Sequence, residues 1–307
     1  MKKFFLLLLL VINISCTDDD PGDVLYSSEV VKVTGARYSA SNVDFNNTYS
    51  AFMAAVNEED SLEIFLEINH AANAIALGRV LNPSRLLFFG SPGMMIPLLQ
   101  ENQLAGLDLP QRMLFYQNVN SEVFAVYNTV PYLSSRYGLE QAEPLQHTAV
   151  LLKNLANAAT RAEVRTAADL LVEQGQGIIS KKSTQAFDAT YSAVRRKLGA
   201  YENVTILTEI NFQDYSPVQE SENILRPTKL VIFGMPQLGT PLMQDSPTLA
   251  LDVPQKILVW EDEEGITNIS YNDPAFLADR HNLPATAPEI EQIAAVLDEV
   301  SSVNTTN

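Results

Sequence analysis

The chain carries one stretch twice. FFGSPGMMIPLLQENQLAGLDLPQRMLFYQN at residues 88–118 returns as IFGMPQLGTPLMQDSPTLALDVPQKILVWED at residues 232–262, at a constant offset of 144 and without a gap. Gly90, Pro92, Pro97, Leu98 and Gln100 return as Gly234, Pro236, Pro241, Leu242 and Gln244. Leu107, Asp108, Pro110, Gln111 and Leu114 return as Leu251, Asp252, Pro254, Gln255 and Leu258. The match runs on through Tyr127-Asn128 and Tyr271-Asn272 to Leu139 and Leu283. Upstream, Phe45, Thr48, Tyr49, Ser50 and Ala51 return as Phe187, Thr190, Tyr191, Ser192 and Ala193, and Glu67-Ile68-Asn69 returns as Glu209-Ile210-Asn211. Chain breakers and apolar positions recur together, so both the turns and the sheet faces are repeated. The chain must therefore build two similar units, and its 307 residues suffice for two domains of about 100–200 residues each.

Periodicity sets the content of each unit. In the first, a strand is expected over 30–38. Asp44 then starts a helix on which Phe45, Tyr49, Phe52, Met53 and Val56 share a face. A strand over 62–68 places Leu62, Ile64, Leu66 and Ile68 on one side, and alternation resumes at 73–77. An almost wholly apolar strand over 84–89 leads into the turn Gly90-Ser91-Pro92-Gly93 and a short helix over 94–101. A hairpin of 112–116 with 123–127 follows, then a last helix from Pro131 through Tyr137. The order β-α-β-β-α-β-β-α predicts an α+β fold with a largely antiparallel sheet in each of two tandem domains.

The expected boundaries are 28–140 and 177–283 for the two domains, with a helical connector at 141–176 and a C-terminal helix and polar tail at 284–307. In the connector, Ala149, Leu151, Leu152 and Leu155 read as one helix. Thr160-Arg161-Ala162-Glu163 reads as a capping box that opens a second helical segment containing Leu170, Leu171 and Val172. Two packed helices or one bent helix both fit.

The amino terminus, MKKFFLLLLLVINISC, has a basic start, a short apolar core and a small residue before Cys16. This is the form of a secretory signal. It resembles a bacterial lipoprotein signal of the Bacteroidetes type, with 1–15 removed, Cys16 as the lipid-bearing residue, and 16–27 as an acidic tether containing Asp18-Asp19-Asp20. Asn13 stands where a leucine is usual. The resemblance implies a protein of the cell envelope, anchored to membrane through Cys16 and placed at the outer membrane. The formal net charge of −17 argues against nucleic acid as a partner. With Cys16 the single cysteine, no disulfide closes within the chain and zinc sites of several cysteines are excluded.

The two copies of the repeated stretch, with Leu-Asp-Leu-Pro in one and Leu-Asp-Val-Pro and SYNDPAFLADRH in the other, resemble the DUF302 family of domains of unknown function. The resemblance covers nearly all of the mature chain as two consecutive copies. It implies an α+β fold and no established reaction. The family's acidic–Ile–Asp–His site reads Glu67-Ile68-Asn69-His70 in the first copy and ends in Phe212 in the second. The second copy keeps the family-like Trp260, Glu261, Asp262 and His281, where the first has Tyr116, Gln117, Asn118 and Tyr137.

No single motif carries a reaction. The Gly90 and Gly234 turns lack the Lys-Ser/Thr of a phosphate loop, and no Gly-x-Ser-x-Gly elbow occurs. Asp108 and Asp252 precede a strand, where a carboxylate can accept backbone N–H bonds and lock a turn; paired across a dyad they can instead form a cation or acid–base site. Gln100 and Gln244 are expected to bridge the helix end to that aspartate loop, with a pocket role as the alternative. Tyr127-Asn128 and Tyr271-Asn272 read as hairpin closure before the next helix. The only histidines are His70, His147 and His281. A metal would require His70 and His281 to converge with Glu67 or Asp273. Glu67, His70, Trp260, Asn272 and His281 therefore stand with the aspartates and glutamines as ligand or structural candidates. The reading that follows is a binding or interaction module without a cofactor, whose partner is an envelope protein or a small ligand. An enzyme or metal-dependent activity between the two domains is the alternative. An apolar groove rimmed by uncharged polar groups would favour binding.

The signal carries its own test. Mass spectrometry of the protein purified from its native envelope is expected to find a lipidated residue 16, and an intact Met1 would refute the processing.

Overall fold

In the computed structural model, residues 31–216 and 225–305 are described. The signal and tether, with Cys16, lie outside them. Among the described residues no helix is long and apolar enough to cross a membrane. The first unit runs β1 (Ala36–Ala40), α1 (Phe45–Glu58), β2 (Glu63–Asn69), α2 (His70–Ala76), β3 (Ser84–Gly90), α3 (Pro92–Glu101), β4 (Gln111–Gln117), β5 (Val123–Asn128), α4 (Val130–Tyr137), α5 (Ala142–Thr160) and the two-residue β6 (Arg165–Thr166). The second runs β7 (Ile178–Lys182), α6 (Phe187–Leu198), β8 (Thr205–Asn211), β9 (Thr228–Gly234), α7 (Pro236–Asp245), β10 (Gln255–Glu261), β11 (Thr267–Asn272), α8 (Pro274–Arg280) and α9 (Pro288–Ser301).

The sheets have one topology. Strand order is β2-β3-β4-β5-β1-β6 in the first and β8-β9-β10-β11-β7 in the second, so each strand of the second has its counterpart in the same place in the first, which adds only the short edge strand β6. All pairings are antiparallel. Even the irregularity is duplicated. Ladder register slips between Ile64 and Leu66 in β2 and between Ile206 and Thr208 in β8. That bulge breaks the expected single face of Leu62 to Ile68 and leaves Ile64 exposed.

The central strands β3 and β9 are largely apolar because both of their faces are covered. From β3, Leu87 and Phe89 turn to α1 and α5, where they meet Phe52, Met113, Phe115 and Leu152. Leu86 and Phe88 turn the other way, into a core continuous with Leu230, Ile232 and Leu258 of the second unit. That shared face joins the units. The turn Gln103–Leu107 of the first unit lies over the second sheet, and its counterpart Pro247–Leu251 lies over the first. Gly106 marks the close approach: a Cβ there would stand 2.8 Å from Leu258. A cis proline follows each turn, Pro110 and Pro254.

Three expectations need correction. Alternation at 73–77 belongs to the helix α2, which Asn69 caps by accepting from the Ala72 N–H. Thr160 ends a helix and opens none: its hydroxyl donates to the Ala156 carbonyl one turn back, and Arg161 takes the left-handed conformation that stops α5. No second helix forms around Leu170–Val172; apart from β6 the chain runs irregularly from the end of α5 to β7. The helix α5 itself packs on α1 against the first sheet, the place α9 takes beside α6.

Gly35 and Gly177 open β1 and β7 from equivalent positions. Both have positive φ, and a Cβ would fall 2.2 Å from the Tyr132 ring and 2.1 Å from that of Phe276. Gly177→Ala should therefore cost more than the about 1–3 kcal/mol of the backbone conformation alone. Gly265→Ala, also at positive φ but in open space, should cost only that. Urea unfolding of the two variants measures the difference.

Candidate functional site

Asp108 and Asp252 end the two interface turns, and both are buried, at 3% and 1% exposure. Their carboxylates accept side-chain donors. Asp108 takes Arg112 Nη2 at 2.5 Å, Arg136 Nη1 at 2.8 Å and the Tyr137 hydroxyl at 2.7 Å. Asp252 takes Arg280 Nη1 at 2.5 Å and Arg112 Nη2 at 3.3 Å, and pairs with His281 Nε2 at 2.8 Å. One nitrogen of Arg112 thus bridges the two carboxylates. The expected turn lock through backbone N–H groups is replaced by an ionic cluster at the centre of the interface.

The arginines cross between the units. Arg136 donates to Asn272 at 2.9 Å and to the Gly177 carbonyl at 3.1 Å. Arg280 donates to Asn128 at 2.6 Å and to the Thr34 carbonyl at 2.7 Å. So the asparagine of each repeated Tyr-Asn pair holds the opposite unit's arginine, a larger task than closing its own hairpin. Burial alone would push both carboxyls up. For Asp108 the Arg112 and Arg136 guanidiniums outweigh it and hold the group at about 2; for Asp252, Arg280, the His281 hydrogen bond and Arg112 hold it well below the usual range.

Tyr137 and His281 occupy one position in the two copies and do one job, donating to the aspartate. Burial pushes the His281 imidazole down, against the pull of Asp252, so Nε2–H is the donor and Nδ1 is left to accept from Thr248 at 3.0 Å. Because a tyrosine serves equally in the first copy, the Asp252–His281–Thr248 chain is read as support for the loop.

Beside this cluster lies a cavity of about 220 Å³. Ile68, His70, Asn73 and Leu77 of β2 and α2 close one side. Leu207, Met235, Gly239, Thr240, Met243 and the 253–255 loop of the second unit close the other. The lining is mainly apolar. His70 Nε2 and Thr240 Oγ1 are buried without a partner among the described residues, on side chains 5% and 0% exposed. Burial holds the His70 imidazole down at about 4, and its hydrogen bond is to the Ala250 carbonyl. Its Nδ1–H therefore donates there, and neutral Nε2 offers a lone pair.

The first copy supplies the comparison. Gly239-Thr240 stands where it has Met95-Ile96, and His70 where the second copy has Phe212. Met95 is fully buried, and its sulfur would lie 3.0 Å from a Cβ on Gly90. A Cβ on Gly239 would meet nothing within 4 Å. A glycine has replaced the side chain that fills the equivalent space, and a hydroxyl and an imidazole have replaced apolar walls.

The other candidates disperse. Glu67 pairs with Arg85 at 2.8 Å at the surface. Gln244 reaches across to the first unit, donating to the Val80 carbonyl at 2.9 Å, and does not bridge to its own aspartate loop. Gln100 is half-buried on α3. Trp260 donates to the Ser270 hydroxyl at 2.9 Å. Asp273 caps α8 through the Ala275 N–H. Among the described residues no three of His, Cys, Asp and Glu converge as a metal site, and His70 and His281 serve separate surroundings. Sequence reasoning missed Arg112, Arg136, Lys256 and Arg280. The signal was present: Arg136 and Arg280 recur at the repeat offset, and Arg112 and Lys256 stand in otherwise apolar strands.

The family model described as "Domain of unknown function DUF302" matches residues 37–160 and 179–300. Curated relatives include the "Fluoride-specific ion channel FluC 1" of Brucella suis biovar 1 (strain 1330), 56% identical over 59 residues, 19% of this chain and 23% of that one. The protein of the same name from Brucella abortus biovar 1 (strain 9-941) is 56% identical over 59 residues, 19% of this chain and 22% of its own. The chain thus spans under a quarter of the length of these relatives. A crystal structure of an uncharacterized conserved DUF302 protein from Bacillus stearothermophilus is 15% identical and covers 42% of this chain and 98% of its own, with a TM-score of 0.37.

Acid should expose the cluster's energetics. With folded pKa values below the ordinary 3.8, the aspartates contribute stability that is present above about pH 4 and is lost as pH falls towards about 2. Asp252→Asn strands buried arginine charge and should cost about 3–5 kcal/mol at neutral pH. Its stability, followed by urea unfolding, should also fall less steeply across that acid range than the parent's.

Proposed function

Starting from a chain that belongs to the DUF302 family, a membership that carries no reaction, we propose that it is a binding module for a small, uncharged, largely apolar molecule. The cavity between α2 and α7 is the site. The observation that carries this is the pair of buried, unpartnered polar atoms, His70 Nε2 and Thr240 Oγ1, in an otherwise apolar lining. Buried polar groups without partners are costly, and a ligand with a hydroxyl or amide group would satisfy both. Neutral His70 accepts from the ligand's donor, and the Thr240 hydroxyl donates to its acceptor. An apolar cavity of about 150 Å³ holds benzene, so about 220 Å³ suits a molecule of roughly nine or ten non-hydrogen atoms by that comparison. A carboxylate ligand is disfavoured, because it would need an imidazolium that burial opposes. The lipoprotein-like start supports placing this binding in the envelope, tethered through Cys16.

The repeat supplies the test. Gly239→Met restores the residue type of the first copy. It should abolish retention of small alcohols, phenols or amides by native mass spectrometry while leaving thermal stability equal or higher, since methionine favours a helix over glycine and fills open space. Full binding by Gly239→Met would refute the site. His70→Phe, which copies Phe212, should weaken binding and also remove the stability loss expected of the parent as pH falls from about 6.5 to about 4. A histidine whose folded pKa is depressed contributes stability above its unfolded value and loses it across that window; urea unfolding at several pH values reads the change.

A further inference from the structure

The buried charges at the interface do not balance. Asp108 and Asp252 face three arginines, Arg112, Arg136 and Arg280, with Lys256 beside them, and all six are buried. Arg136 and Arg280 are fully employed between a carboxylate, an asparagine and backbone carbonyls. Arg112 is not. Its Nη2 bridges the two aspartates, while Nε and Nη1 are buried with no partner among the described residues. Lys256 Nζ reaches only two backbone carbonyls, Asp252 at 3.2 Å and Pro254 at 3.4 Å, so a protonated amine has a hydrogen to spare. Arg112 and Lys256 hold the same position in the two repeats, and where the units meet the Arg112 charge acts on the Lys256 amine. The remaining groups around them, Tyr132, Tyr137, Asn128, Asn272 and the neutral His281, carry no charge to offset the excess.

We propose that a small monovalent inorganic anion, a halide such as chloride, binds between Arg112 and Lys256 at the interface of the two units. The charge matches, since one negative unit offsets the arginine in excess of the carboxylates. The hydrogen-bond character matches as well: Arg112 Nε, Arg112 Nη1 and Lys256 Nζ are all donors, and a halide accepts from each without presenting a donor of its own. Burial selects size, because the donors are closed off from solvent and a polyatomic anion would need further partners. The anion also bears on Lys256. Burial pushes this amine down to about 7, and Arg112 is the strongest charge acting on it in the same direction. A bound anion favours the protonated amine, so binding takes up a proton and tightens as pH falls through neutrality.

Two measurements on the intact protein decide the matter. Thermal unfolding in sodium chloride, compared with sodium gluconate at equal ionic strength, should show a saturable rise in Tm specific to chloride, larger at about pH 6 than at about pH 8. Crystals soaked in sodium bromide should show an anomalous peak in contact with Arg112 and Lys256. Lys256→Met keeps every carboxylate–arginine pair and should lose the pH dependence and most of the chloride effect. Equal Tm in the two salts without a bromide peak, or an undiminished chloride effect in Lys256→Met, would overturn the proposal.

Discussion

Two arginines that leave their own unit to be satisfied in the other hold the arrangement in place. Arg136 and Arg280 each bind their own unit's aspartate, then the other unit's asparagine and a backbone carbonyl at its first strand. Each guanidinium takes partners from both units, and leaving buried guanidinium donors without them is costly. The apolar face shared by the sheets supplies attraction without direction. The crossed arginines supply register, because a shift of one unit against the other would break their bonds to Asn272, Gly177, Asn128 and Thr34 at once.

The same crossing explains where the cavity lies. Each turn is carried over the opposite sheet, so the Ala250 carbonyl arrives against His70 and fixes the tautomer of its ring. The cis-proline loop at Pro254, held by Asp252, forms one wall. The ionic cluster and the cavity therefore share one loop, and the cavity has walls from both units. Duplication made two such places, and divergence left them unlike. Met95 fills one; Gly239 leaves the other open. The repeat thus serves as an internal reference, separating residues that keep the fold from those that make a site.

Much of this was legible. The hairpin β4–β5 and the helices α1 and α4 stand where periodicity and caps put them. Asp108, Asp252, Asn272 and His281 were singled out, and they meet in one cluster. Their roles were not legible. A Leu-Asp-Leu-Pro loop reads as a turn because local backbone donors are the partners that sequence can see, whereas Arg280 lies 28 residues from Asp252 and Arg136 draws on the other unit. Thr160 misled for a related reason: its hydroxyl can cap the helix ahead or bond back to the one behind, and packing against Ser39 decides. The segment around Leu171 is apolar enough for a helix, but its backbone N–H and C=O groups are drawn elsewhere, Gly35 N–H to the Asp169 carbonyl and Val172 N–H to the Ser135 hydroxyl.

The sequence by itself determined that there are two units of one topology, because glycines, prolines and apolar positions repeat together and leave the same strands to pair in the same order. It also determined which residues differ between the copies, His70 against Phe212 and Gly239 against Met95. Only the tertiary structure decided how the units face each other and that those differences surround a single cavity. Strand pairing is written in local pattern, but the position of one unit on another is set by a few buried charges whose partners lie more than a hundred residues away, and no periodicity records such distances.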